Sequence, residues 1–302
     1  MQRILVPVAF AMMLAAPAPS TAASRACGDD VDGHGRAVPC SCGDVLVSSR
    51  TLSEADPVTR GPCEGTALLV HIARGRGPAT LSLGGRTLAG TGRGAGIHLV
   101  DRTGDVAVRG PGVVRGFDTG IMARGGLSQL TDVVVTDNRG DGVRLGGTSY
   151  VIRGCEARAN AGRGFALSGW GYRVDGNRAL ENGRDGFALA GHGATIGDNA
   201  SAANGGTGIA VAGHEHAIVR SAVTGNARDG LRVRGARTAI VDTASGANSG
   251  SGLHAATHDA MVTATTVHDN AGPGVRWRGA RRQVGPHTSA GGAPLATRAR
   301  QP

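Results

Sequence analysis

From Gly120 onward the chain alternates apolar and polar residues over runs of only three to five positions, each run bounded by glycine, as in GLRVRG at 230–235. Such alternation predicts very short strands joined by tight turns, and no stretch carries helical spacing long enough to compete. The runs recur every twenty-two residues. One apolar column is Ile121, Val143, Phe165, Phe187, Ile209, Leu231, Leu253 and Val275; a second is Leu130, Ile152, Val174, Ile196, Ile218, Ile240, Val262 and Val284. One such unit cannot bury its apolar side alone, whereas stacked units bury all of them, which is the logic of a solenoid. The expected fold is an all-β, single-domain parallel β-helix of eight to ten coils, about 40 to 50 Å long at about 4.8 Å per strand. A parallel crossover makes the expected hand right-handed.

Two polar ladders share the period. Asn138, Asn160, Asn182, Asn204, Asn226, Asn248 and Asn270 form one, and Gly120 through Gly274 the other. The glycines are expected to supply turn geometry at no Cβ penalty. The asparagines are expected to tolerate left-handed turns and to hydrogen-bond from coil to coil. Cys155, two residues before Ala157, reads as a buried, inert thiol.

Composition adds a compartment and a charge. Residues 1–23 have a basic start at Arg3, an apolar run from Ile4 to Ala16 and small residues at Ala22 and Ala23, as in a signal peptide. The protein is therefore expected to be secreted and extracellular, without a membrane anchor. Glycine at 52 of 302 residues without a triplet period argues against collagen. The formal charge of +9 rests on arginine, because the sequence contains no lysine. Four of the five cysteines, Cys27, Cys40, Cys42 and Cys63, cluster in a Cys-rich cap at 24–64 and read as two disulfides. Cys27–Cys40 with Cys42–Cys63 is the favoured pairing, and the sequence leaves three possible. The β-helix is expected over 65–290, followed by a flexible basic tail at 291–302.

The phrases GFDTGI at 116–121, DNRGDGVRL at 137–145 and ENGRDGFAL at 181–189 resemble the right-handed parallel β-helix repeats of the pectate-lyase-like superfamily, in particular the NosD-type β-helix domain. CGDVLVSSRTL at 42–52, GPCEGTALLV at 61–70 and LSLGGRTLAG at 81–90 are similar to the N-terminal capping segment of secreted members. The resemblance spans roughly residues 40–285 and implies the fold. It does not imply one activity, since the scaffold hosts lyases, hydrolases, epimerases and non-catalytic proteins.

Catalysis in polysaccharide-active relatives of this kind uses outward side chains of stacked strands. Two positions after each ladder glycine lie Met122, Arg144, Ala166, Ala188, Ala210, Arg232, His254 and Arg276; four positions after lie Arg124, Gly146, Ser168, Ala190, Ala212, Arg234, Ala256 and Arg278. Neither column holds the carboxylate pair that glycoside hydrolysis requires. GHG at 33–35 and 191–193 lacks the accompanying aspartates of polygalacturonase-like hydrolases, and a DPHE motif of alginate epimerases is missing. Arg232, Arg234, Arg276 and Arg278 are the expected ligand-binding face, with His254 as candidate base and an anionic polysaccharide or cell-surface glycan as partner. Nothing indicates nucleic-acid specificity. A second candidate ridge is Trp170, Tyr172, His192 and His214. The HEH at 214–216 lacks the helical spacing of zinc motifs, so no metal is assigned and any cofactor is left open. Binding, with elimination or epimerisation of the glycan, stands against a non-catalytic surface or accessory module.

Overall fold

The structure is a computed structural model that describes residues 24–73, 76–99, 105–125, 127–279, 282–285, 288–290 and 296–297. The expected signal peptide, and all of the expected tail except 296–297, lie outside the described residues. Among these residues the only helix is a 3-10 turn at Pro57–Thr59, and none is long and apolar enough to cross a membrane.

The alternating runs form one parallel sheet of thirteen strands, including Val143–Thr148, Phe165–Trp170, Phe187–His192, Ile209–His214, Leu231–Ala236, Leu253–His258 and Val275–Arg278. Each strand pairs with the next at a register of one repeat, so that Phe165 faces Phe187 and Ile209 faces Leu231. Three-residue strands such as Val151–Arg153 and Glu156–Arg158 stack into the other faces. These converge into the ten-residue strands Val106–Arg115 and Leu127–Thr136 near the start. The result is a solenoid of about eleven coils of about 22 residues. It exceeds the expected eight to ten because the Cys-rich segment joins the sheet: Ala26–Cys27 and Asp44–Leu46 are its first two strands. Disulfides Cys27–Cys40 and Cys42–Cys63 tie that end together.

Both apolar columns point inward. Ile121 through Leu253 and Leu130 through Ile240 are nearly inaccessible, and Phe165 stacks on Phe187 with ring centroids 4.8 Å apart. Burying each such side chain contributes about 1.5 to 3 kcal/mol.

The polar ladders correct two expectations. Asn138 through Asn270 do link coil to coil, each Nδ2 donating to the next Oδ1 at 2.8–2.9 Å. The left-handed residue, however, is the one before each asparagine, as at Ala159 (φ 50°), Glu181 (φ 56°) and Ala203 (φ 54°). Nor do the ladder glycines need a special φ. A Cβ on Gly142, Gly186 or Gly230 would come within 2.6–2.8 Å of the ladder amide of Asn160, Asn204 or Asn248, so the requirement is close approach. Backbone freedom is used five residues further on, at Gly169 (φ 132°) and Gly191 (φ 125°), where the strand ends.

Candidate ligand-binding site

Because alternate residues of a strand face opposite sides, the two outward columns lie side by side on the thirteen-stranded sheet. Their central members are small. Ala166, Ala188 and Ala210, with Ser168, Ala190 and Ala212, floor an open trough of about 560 Å³. Arg124 and Arg144 stand at one end and Arg232 and Arg234 at the other. Along the edge where the strands begin, the trough is bordered by Arg163 and Asp185.

Three carboxylates occupy the position just before a ladder glycine in alternate coils. Asp141, Asp185 and Asp229 each use Oδ1 to accept a backbone N–H one coil later, from Arg163 (2.9 Å), Thr207 (2.7 Å) and Ser251 (3.0 Å). Their second oxygens differ. Arg144 approaches that of Asp141 to 2.9 Å, and Arg232 that of Asp229 to 2.8 Å. Asp185 has alanine, Ala188, where the others have arginine three residues on. Among the described residues the nearest cation to its free oxygen is Arg163, with Nε at 3.9 Å, beyond hydrogen-bond reach.

Asp229 also lies 3.2 Å from His254 Nδ1. Burial works to raise this carboxyl, but hydrogen bonds from Arg232, the Ser251 N–H and His254 outweigh it and hold the group below the usual carboxylate range. An ionised carboxylate can only accept, so in this contact Nδ1 of His254 is the donor and Nε2 faces away from Asp229.

Of the expected face, Arg232 and Arg234 close the trough, whereas Arg276 and Arg278 project from the same sheet two strands further on. His254 sits between them and does not line the trough. Arg232 is committed to Asp229, while Arg234, Arg276 and Arg278 have no ion-pair partner among the described residues. Tyr172 does not belong to the second ridge. It is 1% exposed, stacks on Tyr150 with centroids 5.0 Å apart, and its hydroxyl donates to the Ala190 carbonyl. The left-handed corner at Gly171 (φ 60°) turns it inward. The exposed ridge is Trp170, His192 and His214, whose rings contact one another, His192 and His214 stacking at 5.2 Å. Within HEH, His216 is buried and accepts the Ala194 N–H, and Glu215 pairs with Arg237. Among the described residues no group of three or more His, Cys, Asp or Glu is arranged to hold a metal ion.

Reading outward columns alone missed Arg163 and the three aspartates. Their signal was the Asn-x-x-Asp-Gly sequence at 138–142, 182–186 and 226–230, which recurs every second coil and so escapes a search at one-coil spacing.

No curated protein sequence matches the chain significantly. Among solved structures, the mannuronan C-5 epimerase AlgE4 A-module of Azotobacter vinelandii is similar, with a TM-score of 0.56 at 15% identity over 86% of this chain and 87% of that one. The AlgE6 A-module of the same organism gives 0.52 at 15% identity over 83% and 84%. The periplasmic alginate epimerase AlgG gives 0.50 at 9% identity over 80% and 84%. Likeness at this level of identity shows a shared fold. Residues 95–245, half of the sequence, match the family described as a right handed beta helix region, and the chain belongs to that right-handed β-helix family.

Proposed function

We propose that the protein binds an acidic polysaccharide along the thirteen-stranded sheet, outside the cell. The observation that carries this reading is the alanine-floored trough with an arginine pair at each end. A flat floor of methyl groups accepts the apolar face of a sugar ring, and guanidinium forks suit carboxylates. The net charge of +9 favours an anionic over a neutral glycan. Arg276 and Arg278 extend the same basic track. Two disulfides at the N-terminal end fit an oxidising, extracellular compartment. The epimerase modules of like fold carry names that refer to mannuronan and alginate, which makes those polymers sensible probes.

A turnover variant of this reading uses His254 as base. Elimination would move the proton at C5 of a uronate to His254 Nε2, form the C4=C5 bond and expel the glycosidic oxygen, which takes a proton from water. Epimerisation would keep the C4–O bond, take a proton from water to C5 on the opposite face, and release the proton held by His254 to solvent. A second reading, a non-catalytic surface or accessory module of the NosD kind, is favoured by one observation: His254 lies outside the trough. Mixing the purified protein with a panel of uronic-acid polymers, following binding, the ultraviolet absorbance of unsaturated products and the uronate epimer composition by proton NMR, separates them. Binding without absorbance change or epimer formation supports the module; binding of none of the polymers contradicts the proposal.

A further inference from the structure

The charge along the trough is uneven. Arg124 and Arg234 are exposed and have no ion-pair partner among the described residues, while Arg144 and Arg232 are neutralised by Asp141 and Asp229. Each end therefore carries about one uncompensated positive charge. The ends are five strand spacings apart, about 24 Å at about 4.8 Å per strand. That is well beyond the screening length of about 8 Å, so each end meets its own anionic group. The middle is different. Asp185 lies at the edge of the alanine floor, its Oδ1 fixed by the Thr207 N–H and its Oδ2 lacking the arginine that Asp141 and Asp229 have. Arg163 at 3.9 Å brings the local sum to zero and no further.

We propose that the trough selects an acidic oligosaccharide whose charged groups are separated by uncharged sugar, and discriminates against one charged at every ring. The inference rests on the reading of this face as an acidic-polysaccharide site. A carboxylate placed over Ala188 and Ala190 faces the free oxygen of Asp185 and meets no surplus cation. A neutral sugar placed there can donate its hydroxyls to that oxygen, a charge-assisted hydrogen bond.

The test compares two hexasaccharides by calorimetry at physiological ionic strength: one carrying glucuronate at its first and fifth rings with neutral sugars between and after them, the other hexagalacturonate. The sparsely charged ligand should bind at least about fivefold tighter despite carrying fewer charges. Asp185→Asn keeps an Oδ1 acceptor for the Thr207 N–H, and should raise hexagalacturonate affinity until the preference falls below about twofold. Ala188→Arg, which restores the missing partner of Asp185, should erase the preference by a separate route. Tighter or equal binding of hexagalacturonate to the unaltered protein overturns the inference and leaves acidic-polysaccharide binding standing. Binding of neither hexasaccharide, nor of the parent polymers, overturns both.

Discussion

His254 Nδ1 lies 3.2 Å from Asp229 Oδ2, joined across 25 residues of chain because the two belong to adjacent coils. The same carboxylate oxygen accepts from Arg232. His254→Ala therefore separates turnover from binding. Any elimination or epimerisation should vanish, while affinity for an acidic polysaccharide should stay within about twofold, since the ring does not line the trough. Loss of affinity beyond about tenfold would place the imidazole in the binding surface.

The asparagine ladder should contribute measurably to the stability of the middle coils. Asn204 Oδ1 accepts both the backbone N–H and the side-chain amide of Asn182, and all of these groups are buried. Asn204→Ala strands two donors and should cost about 2 to 4 kcal/mol in chemical denaturation. A cost near zero would mean that water or a shift of the coil satisfies them.

Stability should fall as the pH drops below about 6.5 because of His216. Burial keeps this ring neutral and depresses its folded value below 6.5, outweighing the nearby carbonyls of Ala212 and Gly191. The unfolded chain then binds the proton first. The stabilisation is fully present above about 6.5 and is lost as pH falls through the folded value. Denaturant midpoints measured between about pH 7.5 and 5 should show this limb in the unaltered protein. His216→Ala should be less stable at the upper end and flatter across the range.

Cys155 should be silent toward alkylating reagents in the folded protein. Burial pushes its thiol up to about 12, with the Asp132 charge adding to the rise, and it is 1% exposed. One thiol should react only after denaturation, and mass spectrometry should find it at Cys155. Breaking the Cys42–Cys63 bridge by double replacement with serine should cost about 2 to 4 kcal/mol.

The repeat made the coil, the apolar columns and the asparagine ladder readable, because each places one residue type at one spacing. What escaped depended on corners. Trp170 and Tyr172 share parity in sequence, yet Gly171 lies between them in a left-handed corner that sends one ring outward and the other into the core. The rim aspartates escaped because they precede the strand and alternate with Arg163, Thr207 and Ser251 in the same column. The arginines of the expected face were legible as outward residues. Their value as ligand groups was not, because pairing with Asp141 and Asp229 separates Arg144 and Arg232 from the uncompensated Arg124 and Arg234.

The central claim is tested most directly by the affinity for an acidic polysaccharide of the double variant Arg124→Ser/Arg234→Ser, measured against salt. Neither arginine has an ion-pair partner among the described residues, so the melting temperature should not change. Affinity should fall by at least about tenfold at physiological salt, and the dependence of affinity on salt should become shallower because fewer charged contacts are left to screen. Unaltered affinity and an unaltered salt dependence in this variant would contradict the account and leave the trough a solvated surface.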